Sequence, residues 1–201
     1  MAKSEKLMPL IHKWEGGYVN HPNDKGGCTM KGVTISTFRK YFGENKTCSD
    51  LKNITDEQWL YVFNKGYWDT CKADEINNQS IANIIVDWAW MSGTKTAIKK
   101  IQKILGVESD GIVGNQTINA INTADQEKLF NNIYNKREEF YYNICENNSS
   151  QKVFLKGWLN RLKDFEFETE REIYEPLPKI ENRFMQNNII IPNNNEIERL
   201  Y

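Results

Sequence analysis

The stretch Trp14-Glu15-Gly16-Gly17-Tyr18-Val19-Asn20-His21-Pro22-Asn23-Asp24-Lys25-Gly26-Gly27-Cys28-Thr29-Met30-Lys31-Gly32-Val33-Thr34 joins an apolar-periodic segment to a turn-rich loop. Leu7, Ile11 and Trp14 recur at helical spacing ahead of it, so Glu15 stands where a helix ends and the loop begins. A carboxyl at that junction, packed from behind by Trp14, has the apolar setting in which a general acid keeps its proton. Asp24 follows nine residues later among glycines and polar groups, a setting suited to an ionised partner. Two carboxyls in such contrasted surroundings are what cleavage of a glycosidic bond requires. One protonates the leaving oxygen, and the other activates water or stabilises the developing cation.

Outward from this stretch the chain reads as almost wholly helical. Pro9 is compatible with the first segment only in its first turn, where no N–H is needed. Ile35, Phe38 and Phe42 form a second apolar stripe that Gly43 stops. Thr55-Asp56-Glu57-Gln58 is a capping box that starts a helix burying Trp59, Val62 and Phe63. Ser80 is placed to cap Ile81 to Met91, which is apolar on more than one face and reads as the central buried helix. Ile98, Ile101 and Leu105 mark the next helix, closed by Gly106, and an Asp110-Gly111 turn leads to a short helix with Ile118 and Ile121. Leu129, Ile133, Phe140 and Ile144 outline a long helix from about Asp125, broken at Asn147-Asn148-Ser149-Ser150. A last helix from Gln151 aligns Phe154, Trp158, Leu162 and Phe165. The glycine-rich loop between Gly16 and Thr34 has room for one small irregular hairpin.

Composition narrows the function classes. With 201 residues and a formal net charge of −1, the chain has a sizeable core and no global pull toward nucleic acid or acidic lipid. Residues 1 to 48 carry eight Lys/Arg against four Asp/Glu, while residues 161 to 201 carry six against nine. No helix reads as carrying the clustered basic face of a DNA-binding element. His12 and His21 lack metal-ligand spacing, so no metal and no cofactor is expected. The segment Leu7 to Ile11 is too short and interrupted for a signal-peptide core, and no run reaches membrane-spanning length. The chain is therefore expected to be made in the cytoplasm and to reach any extracellular target by release or export. Without a signal, Cys28, Cys48, Cys71 and Cys145 read as free thiols. A thiol hydrolase built on Cys28, His21 and Asp24 lacks any feature placing the imidazole against the sulfur.

The spaced set Glu15, Gly16, Gly17, Asp24, Gly26, Gly27, Thr29, Gly32, Val33 and Thr34 resembles the signature of glycoside hydrolase family 108, the N-acetylmuramidases of peptidoglycan. Its Glu, Asp and Thr order is also similar to that of phage-type lysozymes. Residues 97 to 107, followed by Asp110-Gly111-Ile112-Val113-Gly114-Asn115-Gln116-Thr117, resemble predicted peptidoglycan-binding modules, with Asn115 in place of the usual Pro. The run Gly157-Trp158-Leu159-Asn160-Arg161 resembles the segment that closes that family.

The resemblance implies a mainly α, lysozyme-like helical domain with an irregular glycine-rich loop or hairpin beside a cleft. It gives a catalytic region over 1–93 and a peptidoglycan-binding-like region over 94–167 packed on it, while acidic, Pro- and Asn-containing composition marks 168–201 as a surface-wrapping tail. It further implies Glu15 as general acid, with Asp24 and Thr29 activating water. Tyr18, Trp68 and Asp87 are then candidate contacts to the sugar, by ring stacking and hydrogen bonding. Met91 stands where relatives are expected to carry Asn, which removes one polar contact. Peptidoglycan glycan strands are the expected partner, with a holin or secretion apparatus as a further one, and neither nucleic acid nor an integral membrane segment is expected. Two rival readings are a lytic transglycosylase using Glu15 alone and a peptidoglycan-binding accessory that supports secretion.

Overall fold

The computed structural model describes residues 1–20 and 27–169. The first helix, α1 (Ser4–Trp14), buries Leu7 and Ile11 along one face. Pro9 lies in its second turn rather than its first. The lost N–H would have paired with the carbonyl of Glu5, and both residues are exposed, so the missing bond lies on the solvent face of the helix. Beyond the loop, β1 (Thr29–Met30) and β2 (Val33–Thr34) form an antiparallel pair with Thr29 opposite Thr34 and Met30 opposite Val33. Lys31 and Gly32 make the turn with φ of 47° and 76°, the left-handed pair that a two-residue hairpin demands. The hairpin expected within the glycine-rich loop is thus present.

Helix α2 (Ile35–Phe42) follows directly, capped by the Thr34 hydroxyl and ended at Gly43. A short helix, α3 (Cys48–Lys52), has a capping box between Thr47 and Asp50. Helix α4 (Asp56–Phe63) opens on the expected box between Thr55 and Gln58 and buries Trp59, Val62 and Phe63. It runs into one wide π turn, Asn64–Trp68. The central helix α5 (Gln79–Ser92) starts two residues earlier than its sequence suggested, because Asn78 supplies the cap. Its middle, from Ile84 to Ala89, is buried all round, and it packs on the π turn, on α6 (Thr94–Leu105) and on α8 (Gln126–Asn147).

Between α6 and α8 lies α7 (Asn115–Thr123). Gln102 holds the turn before it: its amide donates to Asp110 Oδ1 at 2.7 Å and accepts from the Gly111 N–H at 2.8 Å. The Asp-Gly motif is therefore occupied by its own helix hairpin. Asp125 caps α8, and α9 (Lys152–Leu162) returns across it. Met1–Phe167 form one compact, mainly helical unit. Among the described residues, no helix is long and apolar enough to cross a membrane. The acidic tail expected after Phe167 lies almost wholly outside the described residues.

Two expectations are corrected here. Cys28 and Cys48 are joined by a disulfide with Cα atoms 5.9 Å apart, leaving Cys71 and Cys145 as the free thiols. The bond links the residue just before β1 to the start of α3, a proximity that their 20-residue separation hides. In addition, α6 does carry a basic stripe, since Lys95, Lys99 and Lys103 are exposed at successive turns.

Candidate active site

Glu15 caps the C-terminus of α1, its N–H donating to the Ile11 carbonyl at 3.0 Å. Its φ of −80° is still helix-like, so its side chain points about 100° round the axis from that of Trp14, and the chain turns extended only beyond it. Trp14 accordingly does not back it: the Trp14 indole N–H donates to Asp164. The carboxyl meets donors instead of an apolar wall. Glu15 Oε1 accepts from Trp90 Nε1 at 2.6 Å and from Arg161 Nη1 at 3.1 Å, and the side chain is 15% exposed.

The hairpin closes on the other carboxyl oxygen. A Cβ on Gly32 would lie 2.5 Å from Trp90 Cζ2 and 2.6 Å from Glu15 Oε2, so only glycine admits this approach. Trp59 fixes the turn, its indole N–H donating to the Lys31 carbonyl at 2.8 Å. The Lys31 ammonium pairs with Asp56 at 2.8 Å. Thr29 lies on this hairpin and is bound through its backbone to Val19 on the outgoing limb of the loop. Trp90 itself is held by rings: Tyr67 at 4.8 Å, Phe63 at 5.5 Å and Trp59 at 5.8 Å between centroids.

Arg161 joins this carboxyl to a buried ion cluster. Its Nη2 donates to Asp87 Oδ1 at 2.6 Å, and its Nε to the same oxygen at 3.0 Å. Arg137 donates to Asp87 Oδ2 and to the Tyr141 hydroxyl at 2.7 Å. Burial alone would raise the Asp87 carboxyl, yet the two guanidiniums outweigh it and hold it below the ordinary carboxylate range.

The expected sugar contacts fare unequally. Asp87 is fully buried and reaches the site only through Arg161. Trp68 is also buried, with its N–H on Asp74 at 2.7 Å. The π turn inserts an extra residue per turn, and this register turns Trp68 inward and leaves Tyr67 against Trp90. Burial, with the neighbouring Glu15, pushes the Tyr67 phenol above its ordinary value, so it remains a hydroxyl donor. Tyr18 is half-buried on the core, with Lys52 Nζ 5.6 Å from its ring centroid. Asp24 lies outside the described residues, as does His21. Cys28 has no free thiol. Among the described residues, no group of His, Cys, Asp and Glu is gathered to hold a metal.

Trp90 and Arg161 are the Glu15 partners that sequence reasoning did not assign. Trp90 stood in an aromatic run and Arg161 in the closing Gly-Trp-x-x-Arg segment. Nothing local shows that either reaches a residue 75 or 146 positions away.

A helical domain that holds a cleft carboxyl against a glycine hairpin has the architecture of a lysozyme-like glycoside hydrolase, and the comparisons with known proteins give the same class. Residues 8–93 match the glycosyl hydrolase 108 family and residues 96–163 the predicted peptidoglycan domain. The two matched regions follow one another along the chain in the order that the sequence resemblance implied, and the chain is a peptidoglycan hydrolase. Among solved structures it is similar to Brucella abortus SagA, with 28% sequence identity and a TM-score of 0.66 over 80% of this chain and 90% of that one. No curated protein matches it.

Proposed function

We propose that the chain is an N-acetylmuramidase that hydrolyses the β-1,4 bond between N-acetylmuramic acid and N-acetylglucosamine. Glu15 is the general acid, and Asp24 with Thr29 activates the water. The observation that carries this reading is the setting of the Glu15 carboxyl. Trp90 and Arg161 fix Oε1, while Oε2 is left beside the Gly32 hairpin to deliver the proton to the glycosidic oxygen. Fixed donors around one oxygen orient the acid without reorganisation during the reaction. The Cys28–Cys48 bond supports a site of action outside the reducing cytoplasm, on the wall itself.

Glu15→Gln retains shape and hydrogen-bonding capacity but has no proton to give. Wall lysis by this variant is expected to fall by about two to four orders of magnitude, with unchanged melting temperature. Near-normal lysis by the folded variant would remove Glu15 from the mechanism. Digestion by the unaltered protein in labelled water is expected to give reducing muramic acid ends carrying one labelled oxygen. Anhydro ends without label would identify a transglycosylase, and no soluble muropeptides at all an accessory binder.

A further inference from the structure

An open groove of about 270 Å³ shares Arg161 with the Glu15 carboxyl. Trp14, Met91, Val153, Phe154, Trp158 and Arg161 line it. From α9 come Val153, Phe154, Gly157, Trp158 and Arg161, which share one helix face. Val153 is 78% exposed and Phe154 53%, unusual for large apolar side chains adjoining a cleft. Gly157 leaves the trough open, since a Cβ there would meet nothing within 4 Å.

We infer that this groove, through Phe154, Trp158, Trp14 and Met91, seats one N-acetylated sugar ring of the glycan strand next to the bond presented to Glu15. The inference rests on the muramidase reading above and gives that site a second binding position. Continuity is the first argument. Arg161 lines the groove and donates to Glu15 Oε1 at 3.1 Å. A strand lying across the carboxyl continues into this trough.

Charge is the second argument. Among the described residues, Arg161 is the only charged side chain in the lining, and its guanidinium is already engaged by Glu15 and Asp87. A peptide stem with its carboxylates finds no free counter-charge there, whereas a neutral sugar needs none. Ring chemistry is the third argument. Phe154 and Trp158 lie with centroids 6.0 Å apart and planes inclined by 29°, and together offer aromatic faces to the apolar C–H face of a pyranose and to an acetamido methyl group. The volume lies at the small end for ligand clefts, suited to one ring rather than several.

The probe is the β-1,4-linked tetramer of N-acetylglucosamine, titrated calorimetrically into Glu15→Gln protein so that no turnover occurs. Two further changes are made singly in that background. Phe154→Ala removes an exposed wall, and Gly157→Leu fills the trough at a helical position where leucine is the better helix former. Each is expected to weaken tetramer binding about tenfold or more with unchanged or higher melting temperature. In the protein that retains Glu15, each is expected to raise KM for wall glycan with kcat nearly unchanged. Absence of tetramer binding, or equal affinity in all three proteins, overturns the inference. So does a loss confined to stem-peptide binding, or a self-association that the two changes abolish. Failure of the catalytic reading is separately visible: full lysis by Glu15→Gln together with lost tetramer binding in Gly157→Leu would displace Glu15 and retain the groove.

Discussion

A side chain on Gly32 has nowhere to go, because Trp90 closes on it from α5 and Glu15 from the end of α1. The backbone there has φ of +76°, a region in which an L-residue is strained even with space around it. Gly32→Ala is therefore expected to cost about 2–4 kcal/mol, combining the left-handed penalty with overpacking. Lytic activity should fall about a hundredfold, since the clash displaces the carboxyl by a fraction of an ångström to an ångström. Gly16→Ala and Gly17→Ala provide the contrast, having no atoms within 4 Å of the added Cβ. Both should melt close to the unaltered protein. Equal sensitivity at all three positions, by thermal melting and turbidity clearing of cell walls, would contradict this account of the hairpin. The sequence marks all three glycines alike by their spacing. Their difference arises from Trp90, which no local pattern connects to the loop.

Besides its Val19 and Asp56 contacts, the hairpin is tied by the Trp59 bond to Lys31 and by the disulfide from Cys28 to the first residue of α3. Closing a loop of 20 residues stabilises by about 2–4 kcal/mol, and here the closed loop contains the whole hairpin. Cys48→Ser should lower stability by that amount and loosen the strand that carries Thr29. Thiol titration tests the pairing directly. The folded protein should show no rapidly reacting thiol, because Cys71 and Cys145 are buried and burial pushes the Cys71 thiol up to about 12. Unfolding without reductant should release two thiols, and unfolding with reductant four; four without reductant would exclude the bond. Elements with strong local punctuation were legible in the sequence: the boxed start of α4, the Asp125 cap of α8 and the Gly106 end of α6 are all found. Helix α3 escaped notice because Leu51 is its one buried apolar residue, although Thr47 and Asp50 supply a capping box. The π turn after α4 has no such signal. It exchanges the expected roles of Tyr67 and Trp68 by shifting the register of the helix.

At the scale of the molecule, the chain Glu15, Arg161, Asp87, Arg137 connects α1, α9, α5 and α8. Glu15 and Asp87 lie in the hydrolase-matched region, whereas both arginines lie in the region matched to the predicted peptidoglycan domain. The second region is consequently part of the framework around Glu15, because it supplies the guanidinium that holds this carboxyl and the charge that compensates Asp87. This dependence was not legible in the sequence, where the partners stand 50 to 146 residues apart and Asp87 sits in an aromatic run suggestive of a sugar contact. Removing the Asp87 charge would leave two buried guanidiniums without their shared counter-charge, at a cost of about 3–5 kcal/mol. Asp87→Asn is nearly isosteric, so the cost is electrostatic rather than a cavity. The pH dependence follows from the depressed Asp87 carboxyl. Its folded value lies below the unfolded one, so its contribution is fully present above about pH 4 and is lost as pH falls through the folded value. Melting temperatures measured from pH 7 to pH 2 should therefore show Asp87→Asn far below the unaltered protein at neutral pH, with the two curves converging in acid. A constant gap across that range would mean that Asp87 contributes through packing alone, and that Arg161 does not depend on it to hold Glu15.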